Sequence, residues 1–341
     1  MRRLQLFFHA FSWLSGNQDS LETITLGILT YNTIAFGLQP IFGYIADTYK
    51  NIPIAAIGCM LLIIGLLFIK YPWAALSIMG IGNACFHVGG GIDSLKYSNG
   101  KMARSGIFVS SGALGVSLGG LAGKSTMIPL YLPVVLLILC LIAISIFSSP
   151  DSDKQYKAPD FKISNPIHSF GMIIALCFFS IVIRSYAGSI IPMDWKTTMF
   201  LSVLPSIGAC VGKASGGILA DRLGARNVGV FSLLASVPCL VFGHGLPWIC
   251  FIGILLFNMS MSITLCTIAS LLPSNPGLAF GITTLALLCG SVPMFFFTVP
   301  GASIVIAVLT ILSSILLYHA VINHKEKENE KNIQNYEQQI L

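Results

Sequence analysis

Long uninterrupted apolar runs constrain this chain more than any other feature. A run of about 20 residues matches a hydrocarbon core about 30 Å thick at 1.5 Å per helical residue. From residue 22 onward eleven such runs follow one another, at roughly 22–46, 52–69, 73–94, 104–123, 127–148, 167–191, 198–220, 227–243, 247–271, 278–297 and 302–322. Charged residues make up only 9% of the chain and the mean hydropathy is +0.83, against a charged fraction of roughly 25% in soluble domains. The sequence therefore reads as an all-α, multi-pass membrane protein. The alternating ten-residue segments that a membrane β-barrel requires are missing from it.

A second feature divides the chain. Gly43-Tyr44-Ile45-Ala46-Asp47 closes one apolar run, and Gly217-Ile218-Leu219-Ala220-Asp221-Arg222 closes another 174 residues later. The register extends beyond these phrases: Asn83 matches Asn258, Gly106-Ile107 matches Gly281-Ile282, and Gly115 matches Gly290, each 175 apart. Two similar helical halves are expected, an N-terminal one over 1–148 and a C-terminal one over 167–322. A polar linker over 149–166 with three lysines joins them, and a polar tail runs from 323 to 341. The run Leu4–Leu14 would extend only about 16 Å as a helix. It reads as the outer part of a first helix that is cut short.

Lys and Arg fall unevenly on alternate sides of the runs. Twelve, among them Lys50, Arg104, Lys157, Arg222, Arg226 and Lys327, lie on the side of the repeated phrase, and three (Lys70, Lys124, Lys196) lie on the other. By the positive-inside rule the phrase, the linker and the C-terminus are cytoplasmic and the protein sits in the cell membrane. The net charge of +6 is explained by this orientation. Its basic residues are strung between apolar runs, not clustered with aromatics as a nucleic-acid surface would have them.

The nine cysteines all lie within apolar runs without paired or metal-type spacing, so no metal or cofactor is expected. Gly119 to Ser125 imitates a phosphate-binding loop, but Leu118 stands at its first glycine and no strand precedes it. Gly89-Gly90-Gly91 reads as a flexible or closely packed stretch of membrane helix and not as a nucleotide cradle, and no constellation of catalytic residues stands out.

Gly217-x-Leu219-Ala220-Asp221-Arg222-x-Gly224-x-Arg226 resembles the loop signature of the major facilitator superfamily. The first copy departs from it, with Thr48, Lys50 and Asn51 where the pattern prefers Arg, Gly and Arg. The resemblance implies a twelve-helix fold of two six-helix halves, here with an incomplete first helix. It also implies alternating-access transport of a small molecule by a monomer in the lipid bilayer. Gln39-Pro40, Gly82-Asn83-Ala84-Cys85-Phe86-His87 and Arg184-Ser185 further resemble segments of fosmidomycin-resistance-type facilitators, which implies efflux. Val88 departs from that pattern, which usually has Pro there. Gly112, Gly115, Gly119 and Gly120 resemble the glycine-rich helix of proton-coupled antiporters, with Val116 in place of the usual Pro.

Ionisable and amide side chains at membrane depth are functional candidates because they are costly there. Arg184 would hold a carboxylate or phosphonate by paired hydrogen bonds, or else snorkel or bond a carbonyl. Lys213 lies opposite Gln39 by the repeat offset and reads either as cavity wall or as a snorkelling cation. His87, one turn after Asn83, is the proton-coupling candidate, since an imidazole titrates near pH 6.5; a packing role is the alternative. Asn83 and Asn258 read equally as substrate contacts and as interhelical glue. At the helix ends, Gly43 and Gly217 allow close approach. Asp47 and Asp221 would then latch onto an Arg or a neighbouring helix N-terminus, more firmly at Asp221, which has Arg222 and Arg226 near it. The competing reading is a non-transporting remnant or a membrane interaction protein.

Overall fold

The computed structural model describes residues 21–124, 131–147, 161, 163–164, 169–297, 299 and 301–323. The first apolar run at Leu4–Leu14, most of the linker and nearly all of the tail lie outside these residues.

Among the described residues the chain is a succession of helices: α1 (Leu21–Gly37), α2 (Gln39–Thr48), α3 (Ile54–Leu67), α4 (Pro72–Lys96), α5 (Met102–Lys124) and α6 (Tyr131–Phe147), then α7 (Phe170–Ser189), α8 (Met199–Leu223), α9 (Ala225–Phe242), α10 (Pro247–Asn258), α11 (Ser260–Leu271), α12 (Pro276–Ser291) and α13 (Ala302–Ala320). Seven helical stretches are long and apolar enough to cross a membrane by themselves: Pro72–Lys96, Phe170–Ser189, Met199–Leu223, Ala225–Gly245, Pro247–Leu271, Pro276–Phe295 and Ala302–Ala320. The chain is thus a multi-pass membrane protein. Twelve spans are not all seen among the described residues.

Prolines open several of these helices. Pro72, Pro247 and Pro276 stand at the first helical position, where the missing N–H is no loss and the fixed φ suits the first turn.

Two runs expected to be single spans each depart from a regular helix. The run 22–46 divides at Leu38 into α1 and α2, because Pro40 lies in the first turn of α2 and cannot donate to the helix before it. The run 247–271 tightens at Met259, which keeps helical angles (φ −61°, ψ −30°) while its N–H donates to Leu256 O three residues back (3.2 Å). There Asn258 Nδ2 donates to Ile254 O (2.8 Å) and Ser260 Oγ to Phe257 O (3.3 Å). These side chains compete with the backbone ladder at the join.

The larger core belongs to the helices after residue 170, with Ile181, Leu233, Leu240, Ile263, Ile268, Ile306 and Leu317 among its fully buried members. On α8, Gly208, Gly212 and Gly216 recur every four residues. A Cβ on Gly212 or Gly216 would overlap the backbone of Leu255 or Met259, and one on Gly208 would press on Phe251 at 3.2 Å, so this face brings α8 against α10 and the start of α11. The linker is not a wholly solvated connector. Phe161 is 2% exposed and packs in the same core. Ile163 and Ser164 form β1, which pairs antiparallel with β2 (Ile322–Asn323) directly after α13. Asn323, read as the first residue of the tail, therefore belongs to the folded part.

Candidate functional site

The repeated phrase ends each of two helices on a carboxylate, and each carboxylate binds the other half of the sequence. Asp47, in the last turn of α2, accepts hydrogen bonds from the backbone N–H groups of Gly277 (2.9 Å) and Leu278 (2.8 Å). Asp221, near the end of α8, accepts from those of Met102 (2.8 Å) and Ala103 (3.1 Å). All four donors lie in the first turns of α12 and α5, where a helix leaves its N–H groups without an internal partner. An anion there also meets the positive end of the helix dipole.

Two further tiers of contact repeat the same exchange. Gly43 meets Gly277 so closely that a Cβ on Gly43 would overlap its carbonyl, and a Cβ on Gly217 would stand 2.6 Å from Met102 O. Deeper in, Gly281 lies against Pro40 and Gln39, and a Cβ on Gly106 would stand 2.7 Å from Lys213 O. The offset of 174–175 residues read in the sequence thus reappears as paired contacts of α2 with α12 and α8 with α5.

Sequence reasoning ranked Asp221 above Asp47 because of its neighbouring arginines, and the geometry corrects that ranking. The hydrogen bonds described at Asp221 come from the backbone N–H groups of Met102 and Ala103. Arg222 is exposed, and Arg226 stacks its guanidinium 3.4 Å from the Tyr318 ring centre on α13. Both aspartates instead make the same two-pronged bond to a helix start. The signature's glycine has a local reason as well. Gly224 has φ +92° in the turn from α8 into α9, a conformation that side chains resist. The corresponding Lys50 is not in the left-handed region, so the first loop takes another route and needs no glycine.

Above this layer the rings of Phe108 on α5 and Phe280 on α12 meet at 6.0 Å between centroids. The glycine triplet of α4 makes room for them. A Cβ at Gly90 would strike Phe108, one at Gly91 would strike Phe280, and one at Gly89 would strike Ala55 on α3. His87 stands edge-on to Phe108 at 6.4 Å. Lys213 is half-buried.

The remaining polar candidates are dispersed. Asn83 Nδ2 donates to the Tyr31 hydroxyl on α1 (2.7 Å), while Asn258 bonds its own helix. Gln39 is 1% exposed, its Nε2 donating to Ala35 O (2.7 Å) and its Oε1 buried without a hydrogen-bond partner among the described residues. Arg184 is 3% exposed on α7. Its Nε donates to Ser180 O (3.3 Å), one terminal nitrogen to Ser260 Oγ and the other to Thr264 Oγ1 (3.0 Å), both on α11. The guanidinium therefore faces a neighbouring helix and hydroxyls, not open space. Arg184, Asn83, Asn258 and Gln39 share no hydrogen bond with one another.

Sequence reasoning missed Ser260, Thr264, Phe108 and Phe280. For the first two a signal existed, since hydroxyls four residues apart share a helix face. For the rings nothing in their own segments marks them.

No family model matches the sequence, and no curated protein is significantly similar to it. Solved structures are similar in fold. The human organic anion transporter MFSD10 (TETRAN) superposes with a TM-score of 0.62 at 16% identity, covering 93% of this chain and 89% of that one. The E. coli fucose:proton symporter FucP gives 0.61 at 11% identity, covering 94% and 97%. A second structure of FucP, a Major Facilitator Superfamily (MFS) transporter in the outward conformation, gives 0.60 at 12% identity over the same shares. At these identities the likeness is one of fold: the chain folds as major facilitator transporters do.

Proposed function

We propose that this protein is a secondary active transporter that carries a small anionic or zwitterionic molecule by alternating access, without covalent chemistry or ATP. The observation that carries this reading is the reciprocal pair of aspartate caps. Each joins the two halves at one end of the molecule through a few hydrogen bonds, which rocking of the halves would break and remake. With the positive-inside orientation that end is cytoplasmic, and so is the C-terminus in the cell membrane. Gly43, Asp47, Gly217 and Asp221 then form a cytoplasmic gate flanked by Arg222 and Arg226.

The substrate class rests on Arg184 and Lys213, cations at membrane depth that pair with no carboxylate among the described residues. MFSD10, similar in fold, is an organic anion transporter. Asn83, Asn258 and Gln39 complete the polar inventory, and His87 beside the Phe108–Phe280 layer is the group for proton coupling, with efflux as the direction. The test is flux of organic anions in reconstituted vesicles, with and without a pH gradient. Substrate-dependent flux that Arg184→Glu abolishes is expected. Undiminished flux in that variant would remove the anion reading, and flux indifferent to the gradient would remove His87 from the scheme.

A further inference from the structure

The hydroxyls that meet Arg184 lie at the join between α10 and α11. Ser260 is the first residue of α11, one position after Met259, and Thr264 is one turn further on. Their own protons are committed within the helix: Ser260 Oγ donates to Phe257 O (3.3 Å), and Thr264 Oγ1 to Ser260 O (3.3 Å) or Met261 O (3.1 Å). Their lone pairs are thus left for the guanidinium. On its far side Arg184 is braced by Ser180, whose carbonyl accepts from Nε and whose hydroxyl pairs with Ser313 Oγ on α13 (2.8 Å). The acceptors engage three of the five N–H donors and bring no charge, so the buried cation is hydrogen-bonded without being neutralised.

What these bonds hold is as telling as their chemistry. The start of α11 is fixed from one side by Arg184 and from another by α8, where Gly216 admits the Met259 backbone. From there α11 passes beside α5, with Ser262 Cβ at 3.4 Å from a Cβ placed on Gly106. It ends at Leu271, and four residues separate it from the first residue of α12, the helix whose start Asp47 caps.

Resting on the anion reading above, we propose that Ser260 and Thr264 are place-holders. An incoming carboxylate or phosphonate displaces them from Arg184, because two bonds charged on both sides replace two whose acceptors are uncharged hydroxyls. Losing them frees α11 at its junction with α10. Substrate arrival is thereby transmitted along α11 towards the α12 cap. Ser260 and Thr264 are positioning residues that compete with the substrate instead of binding it.

The test uses the full chain in lipid nanodiscs with phenylphosphonate as probe, read by binding isotherms and by backbone hydrogen exchange over residues 256–266. In the Ser260→Ala, Thr264→Val variant the junction should exchange faster without probe, and phenylphosphonate should bind about tenfold tighter, since two competing bonds are gone. A merely destabilised protein would bind more weakly. Thr264→Ser, which keeps its hydroxyl, should behave as the native protein, and in the native protein the probe itself should speed exchange at the junction. Weaker binding by the double variant, or unchanged exchange in it without probe, would overturn the proposal. Probe binding that survives Arg184→Gln would sink the anion reading instead, while the probe-free exchange still decides whether these hydroxyls hold the junction.

Discussion

Gly43 and Gly277 face each other across the two halves with no room for a side chain on either. A Cβ on Gly43 would overlap the carbonyl of Gly277, and one on Gly277 would lie 2.7 Å from Gly43 O. The neighbouring atoms are backbone, which cannot swing aside. Gly43→Ala should therefore prop this end open, at a cost of about 1–3 kcal/mol to the closed arrangement. The check is alkylation of cysteines introduced around α2 and α12, which should react faster in the variant.

The two caps should weigh equally. Asp47→Asn and Asp221→Asn each lose one of two acceptor oxygens and the charge at a helix start, worth about 1 kcal/mol apiece. Both should raise amide exchange at the start of the helix they cap, α12 for Asp47 and α5 for Asp221. Arg222→Ala should leave both unchanged. An effect of Arg222→Ala as large as that of Asp221→Asn would show that the arginine, not the helix start, is the partner.

Arg226 is predicted to act through Tyr318. A double-mutant cycle with Arg226→Gln and Tyr318→Leu should return a coupling of about 0.5–2 kcal/mol in thermal unfolding. Zero coupling would mean that the stacked geometry contributes nothing to holding α9 on α13.

Replacing Arg184 tests burial and function separately. Arg184→Leu removes a desolvated cation together with its three bonds, so thermal stability should change little or rise while anion binding disappears. Arg184→Glu buries an acid beside hydroxyls whose protons already bond helix carbonyls, and should cost about 3–5 kcal/mol as well as binding.

Much of this architecture was legible because it follows from spacing. Apolar runs set the helices, and the 174–175 residue offset anticipated which residues correspond. What the offset does not say is that Asp47 and Asp221 each reach into the opposite half. That depends on how the halves are juxtaposed, and no local pattern encodes it. Arginines beside Asp221 in the chain drew attention to ion pairing, yet helix geometry turns Arg226 towards Tyr318. In sequence 22–46 reads as one span, passing over Pro40, which marks the break at Leu38, while the join at Met259 has no proline to mark it. The glycine triplet of α4 reads in sequence as either flexible or closely packed; that its members address three different helices is a property of the bundle. The expected first helix over Leu4–Leu14 lies outside the described residues.

Each lock at the closed end has its bolt on one repeat and its socket on the other, twice over. A chimera that kept the first repeat and borrowed its second from a distant carrier would have to bring both an aspartate for the α5 start and a glycine-led α12 start for Asp47. Neither repeat can drift alone at these positions, so substitutions tolerated here should come in pairs that are distant in the chain yet touch across the two halves.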